Sequence, residues 1–272
     1  KADGLRFFRT LIADLEQDHQ KIEEVYHSSF LAPYIKGYAL LAMDAGELQE
    51  ARLYLRRALP LYRKMVRGRN QQHSELLIDV LLPLGEIDYR LDNWEGAQRA
   101  LTEAIDILQK VRHKPERTAQ WGAACHLLAK VFRRLGLLER SVDYYERSLA
   151  AYREIKAVLK DDVDTIIASI LSALGSLYSS VGDIIRARMV TVEALSLYRR
   201  LEAEGDPQWI EQAMTLNNLG NILRKVREVA SAKEAYLESL ALYKERVIPT
   251  HPDHLPRYGI TLNNLGNLFR VE

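Results

Sequence analysis

One cysteine, eight prolines and fourteen glycines in 272 residues set the first limits. A lone cysteine, Cys125, cannot close an internal disulfide or build a thiolate metal cluster. It fits a reducing compartment, so a cytoplasmic location is expected. Scarce glycine and proline argue against a turn-rich β fold and for helices. Charge of either sign is also missing in the sum. The 38 basic and 37 acidic residues leave a formal net charge of +1. The bulk charge therefore gives no pull towards nucleic acid or an anionic membrane. No run approaches the ~18 apolar residues of a membrane span. No signal peptide is visible, and the chain begins at Lys1 rather than a methionine, so it reads as a fragment. Glycine-rich phosphate loops, nucleophile elbows and H-E-x-x-H are absent as well, so no catalysis, cofactor or metal is expected. His251, Asp253 and His254 sit in a proline-flanked connector and are not read as a metal cluster. Asp161, Asp162 and Asp164 read as a short solvated acidic connector.

What the chain does have is repetition. TLNNLGN occupies 215–221 and returns at 261–267, 46 residues later. Self-similarity at such a distance marks stacked structural units, which must be found before any one motif is interpreted. Three independent rulers give the same register. The end of one helix in each unit carries Tyr62, Leu108, Tyr152, Tyr198 and Tyr243, at separations of 46, 44, 46 and 45. A turn carries Gly46, Asp92, Gly136, Gly182 and Arg227, where a left-handed helix end suits glycine. Five residues further on stand Ala51, Ala97, Ser141, Ala187 and Ala232, small enough for two helices to approach closely.

Each unit thus reads as a helix A, a short turn and a helix B. Such a pair cannot bury its apolar stripes alone, so each must stack on the next. The ruler tyrosines, with Trp94, Trp121 and Trp209, are assigned to the core, and Cys125 is read as a small buried residue. Pro60 and Pro83 fall inside helices and should kink or interrupt them. The segment 4–28 reads as one amphipathic helix through Leu5, Phe8, Ile12, Leu15, Ile22 and Tyr26, with a new helix starting at Pro33. The organisation is therefore an N-terminal helix over 1–29, as a partial repeat, then a solenoid over 30–272. That solenoid holds about five full repeats and the helix A of a sixth.

Leu174-Gly175 with Tyr178, Leu219-Gly220, and the trios Ala187, Thr191, Ala194 and Ala232, Tyr236, Ser239 resemble the tetratricopeptide pattern. The period of about 45 exceeds the usual 34 and is similar to that of kinesin light chain repeats and their bacterial and archaeal relatives. His251-Pro252-Asp253 ahead of Thr261 strengthens that comparison. The resemblance implies an all-α, right-handed superhelical solenoid of antiparallel helix pairs, a non-catalytic scaffold whose helix A residues line a concave groove. Groove positions lie three residues before the helix A glycine, one after it, and four to five after it. They are Asn217, Asn221, Arg224 and Lys225; Asn263, Asn267 and Arg270; Lys130, Arg133 and Arg134; and Ser172 and Ser176.

Asparagine offers both donor and acceptor to an extended peptide backbone, and arginine can fork onto a carboxylate. The expected partner is a protein or peptide segment, acidic or ending in a free C-terminus. Members of the family that bind C-terminal carboxylates use such residues, although Ser172 and Ser176 interrupt a complete clamp here. The asparagines could instead bond neighbouring helices. Nucleic acid is disfavoured by the neutral charge and the lack of groove aromatics. A second reading makes the chain the sensor arm of a larger signalling ATPase or transcription regulator.

Overall fold

The computed structural model describes residues 2–17, 24–68, 74–111, 114–158 and 163–270. Among these, every regular element is helical. The chain divides into two compact units, Lys1–Leu137 and Leu138–Glu272.

The first unit holds α1 (Ala2–Gln17), α2 (Glu24–Asp44), α3 (Leu48–Gly68), α4 (Glu75–Arg90), α5 (Trp94–Val111) and α6 (Pro115–Arg134). Its core runs from Leu5 and Ile12 of α1, through Ile35 and Tyr38 of α2 and Leu55 and Tyr62 of α3, to Leu81 and Ile87 of α4 and Ala104 of α5. The helix expected over 4–28 is two helices, since α1 ends at Gln17 and Tyr26 already belongs to α2. Ile22 lies outside the described residues. Pro33 does not begin a helix but sits within α2, and Pro60 and Pro83 lie within α3 and α4 without interrupting either. Pro33 and Pro60 are exposed. There the carbonyl that loses its N–H partner can be hydrated, so the cost of an interior proline falls.

The second unit holds α7 (Leu138–Val158), α8 (Asp164–Val181), α9 (Ile184–Ala203), α10 (Trp209–Lys225), α11 (Val229–Leu242) and α12 (Leu255–Phe269). A π-helical turn, Tyr243–Val247, follows α11, and a 3-10 turn, Pro252–His254, leads into α12. Consecutive helices pack on one another throughout this unit. In addition α10 touches both α8 and α12, so the three A helices form one layer. Helix α8 is long and apolar enough to cross a membrane by length and composition. It packs against α7 and α9 as the other A helices pack, and half of it is buried.

All three rulers have a structural counterpart. The five small residues, Ala51 to Ala232, are fully buried, and the ruler residues Tyr62, Leu108, Tyr152, Tyr198 and Tyr243 are buried. The five turn residues all have positive φ: Gly46 at 85°, Asp92 at 56°, Gly136 at 75°, Gly182 at 89° and Arg227 at 61°. Each turn is closed by an N–H that reaches five residues back. Glu47 donates to Ala42 O at 2.9 Å, Asn93 to Asp88 O at 2.8 Å and Leu137 to Phe132 O at 2.9 Å. Asp183 donates to Tyr178 O at 2.8 Å and Glu228 to Leu223 O at 3.0 Å. This is the bond pattern of a Schellman cap, which satisfies carbonyls a helix end leaves free.

Cys125 and Trp121 are buried as expected, whereas Trp94 and Trp209 are only half-buried. Each of those two carries an arginine over its ring, Arg134 at 5.7 Å and Arg246 at 5.6 Å. Asp164 is not solvated. It is buried at the start of α8 and paired with Lys156 and Arg200, which offset the cost of burying its charge. Asp161 and Asp162 lie outside the described residues.

Candidate functional site

In the second unit the helix A glycines explain how closely the pairs can pack. A Cβ on Gly175 would stand 2.1 Å from Thr191 Oγ1, and one on Gly220 would stand 2.5 Å from the Tyr236 ring. Both contacts run to the residue sixteen positions later on helix B. Gly266, at the same place in α12, meets nothing within 4 Å among the described residues. In the first copy of TLNNLGN, Leu216 and Gly220 are therefore packing positions, whereas Leu262 and Gly266 of the second copy are exposed. The polar residues between them decide what the A-helix face can do.

Several of those residues bond across to the next element. Asn264 Nδ2 donates to Asn217 Oδ1 at 2.9 Å, linking α12 to α10. Tyr236 OH donates to Asn221 Oδ1 at 2.9 Å, linking α11 to α10. Lys225 Nζ donates to Ser179 O at 2.6 Å and Ser179 Oγ at 2.8 Å, holding the end of α8. Ser172 Oγ and Thr215 Oγ1 are 2.7 Å apart. Three of the expected groove residues, Asn217, Lys225 and Ser172, thus tie one repeat to its neighbour, and Asn221 ties helix A to helix B of its own repeat. Ser176 is half-exposed.

The bonds also set which side of each amide is free. With Oδ1 of Asn217 and Asn221 occupied, their Nδ2 groups remain as donors. Arg224, Asn263 and Arg270 are exposed and Asn267 is half-exposed. The A-helix face of the second unit is thus rich in donors. It suits an acceptor-bearing ligand, such as a peptide carbonyl or a carboxylate.

The first unit carries Lys130, Arg133 and Arg134 on α6. Burial pushes the Lys130 ammonium below its usual range, and the charge of Arg133 adds to this while Glu86 opposes it. His126, one turn earlier, is pushed down to about 4, mainly by burial and then by Lys130. It is neutral at pH 7. Arg133 and Arg134 are exposed, and Arg134 lies over Trp94.

Two stretches of the chain, residues 124–156 and 212–253, match the tetratricopeptide repeat family. The chain carries tetratricopeptide repeats. No curated protein matches it in sequence. Its fold is similar to that of BtubC (BKLC) from P. vanneervenii, with TM-score 0.65 and 20% identity over 88% of this chain and 89% of that one. It is similar to YrrB, described as a TPR protein with an unusual peptide-binding site, with TM-score 0.55 and 13% identity over 82% and 91% of the two chains. It is also similar to the nearly identical TPR-like repeats of a Podosopora anserina putative kinesin light chain, with TM-score 0.57 and 15% identity over 78% and 95%. At such identities the likeness shows the fold.

Within the tetratricopeptide register, sequence reasoning missed several residues. Asn264 was not among the expected groove residues, yet it makes the inter-repeat bond to Asn217. Asn218, Arg257 and Tyr243 together line a small cavity between α10 and α12. One signal lay in the repeat itself. Arg257 stands 46 residues after Glu211, a reversal of charge at an otherwise equivalent site. A second device went unread too. Arg153 pairs with Glu193 at 2.5 Å, Arg188 with Glu228 at 2.6 Å and Arg199 with Glu238 at 2.9 Å, joining one helix B region to the next. Scanning for opposite charges about 40 residues apart would have found it.

Proposed function

We propose that this tetratricopeptide chain is a non-catalytic interaction scaffold that holds an extended segment of a partner protein on its A helices. The observation that carries the reading is the donor-rich face of α10 and α12, where Asn263, Asn267 and Arg270 stand free of the inter-helix bonds that hold Asn217, Asn221 and Lys225. The segment is acidic, because the free groups are amide N–H donors and guanidinium cations. The peptide-binding site named for YrrB lies in the same kind of fold and supports the reading by analogy. The first unit's Lys130, Arg133 and Arg134 extend the same preference to its own A-helix surface.

The test uses a library of capped acidic, neutral and basic peptides, with affinity and the helical melt measured side by side. Replacing Asn263, Asn267 and Arg270 by alanine removes exposed or half-exposed polar groups outside the inter-helix bonds. It is expected to weaken acidic peptides by roughly tenfold or more, about 1.4 kcal/mol, with an unchanged melt. Unchanged affinity for every peptide that binds contradicts the assignment.

A further inference from the structure

Tyr243 is 1% exposed, yet it borders a cavity. One repeat earlier the hydroxyl of Tyr198 is sealed inside the core. Tyr243 differs because it opens the π-helical turn Tyr243–Val247 and faces a cavity. Such turns often mark functional positions. The cavity holds about 70 Å³, against the about 10–15 Å³ a single water needs. A carboxylate group fits that space.

The lining decides what enters. Met214 and Ile260 form apolar walls, and the polar groups are Tyr243, Arg257, Asn217 and Asn218. Asn217 Oδ1 already accepts from Asn264, and Thr261 Oγ1 donates back to Arg257 O at 3.1 Å. What remains is the Arg257 guanidinium, the Tyr243 hydroxyl and the amide N–H groups of Asn217 and Asn218. Burial raises the Tyr243 phenol, Arg257 partly offsets this and Glu211 adds to it, so the hydroxyl keeps its proton and acts as a donor. Glu211 is exposed and does not line the cavity.

We propose that this cavity is a subsite for one acidic side chain of the partner segment, with the carboxylate held by Arg257, the Tyr243 hydroxyl and the Asn218 amide. The proposal rests on the scaffold reading above and adds to it a side-chain specificity. Apolar walls favour the methylene arm, and a guanidinium with two further donors matches the two oxygens of a carboxylate. A glutamine in the same place would leave its own N–H₂ facing donors.

The experiment titrates the isotope-labelled chain with the capped tripeptide Ac-Ala-Glu-Ala-NH2, with its Gln counterpart, and with sodium acetate. Binding is read by NMR at the Asn218 side-chain amide and the Tyr243 ring. The expected result is saturable shifts at both sites with the Glu peptide and roughly tenfold weaker binding of the Gln peptide. Tyr243→Phe and Arg257→Gln are each expected to lower Glu-peptide affinity several-fold with the helical melt preserved. The first loses only the hydroxyl at the cavity, and the second alters an exposed side chain.

Equal affinity for the two peptides, or unchanged affinity in Arg257→Gln, overturns the subsite. So does the absence of shifts at Asn218 and Tyr243. Equal binding with shifts confined to Asn263 and Asn267 removes the subsite while leaving the A-helix reading in place. Acetate binding as tightly as the Glu peptide overturns the peptide assignment in favour of a site for free carboxylic acids.

Discussion

Arg227 holds φ at 61° in a turn where three of the other four positions are glycine, and Asp92 holds 56°. A left-handed conformation costs an ordinary side chain about 1–2 kcal/mol, and less for aspartate. Arg227→Gly is therefore expected to raise stability by ~0.5–1 kcal/mol in chemical denaturation, after the entropy glycine adds to the unfolded chain. Asp92→Gly gains less. Gly182→Ala, at φ 89°, loses stability. A loss on Arg227→Gly would contradict the turn assignment. The position was legible in the sequence only because three glycines framed it; neither Arg nor Asp signals the geometry by itself. His126 gives a second prediction at this scale. Its pKa lies at about 4 in the folded state, against 6.5 for the free side chain. A base with a depressed folded pKa takes its proton first in the unfolded state. The stability it contributes is complete above pH 6.5 and falls as the pH drops towards 4, by ~1–3 kcal/mol. Thermal melts across that window should fall more steeply for the unaltered chain than for His126→Gln. Parallel curves would contradict the burial.

At the scale of the helix, one motif predicts two opposite outcomes. Gly220→Ala drives a Cβ into the Tyr236 ring and should cost ~1–3 kcal/mol. Gly266→Ala, in the second copy of TLNNLGN, meets nothing and should gain ~0.5–1 kcal/mol from helix propensity. Chemical denaturation of the two variants settles it, and a cost at both positions would show that Gly266 is also packed. The motif looks identical in sequence because it specifies the helix, whereas the sign of the substitution depends on the helix packed against it. The same distinction explains the asparagines. Their register was readable from the spacing. Whether Oδ1 met a tyrosine, another asparagine or solvent was not, because Tyr236 and Asn264 reach them from other elements. The helix start expected at Pro33 and an interruption at Pro60 are not seen, for a related reason. Sequence gives the missing donor at Pro33 and Pro60, but not that both face water.

Across the molecule, the nearly equal numbers of acidic and basic residues acquire a use. Arginines of helix B reach glutamates about one repeat later within each unit, Arg63 to Glu103 in the first and Arg199 to Glu238 in the second. Exposed pairs of this kind contribute little each and are screened by salt. A double-mutant cycle on Arg199 and Glu238 is expected to give a coupling of ~0.2–1 kcal/mol at low salt that shrinks as salt is added. A coupling that persists in high salt would contradict a surface role. The repeat register was legible over nearly the whole length because packing imposes it again in every unit. The division between Leu137 and Leu138 was not, since Gly136 has the same φ sign and the same closing bond as the other turns. The central claim concerns which face meets a partner. Its most direct test is site-specific photocrosslinking in a native extract, with the photoreactive residue at Asn263 on α12 or at Ser196 on α9, both exposed. The scaffold reading predicts capture of one discrete protein through an acidic segment at 263 and none at 196. Capture at 196 alone, or equally at both, would contradict it.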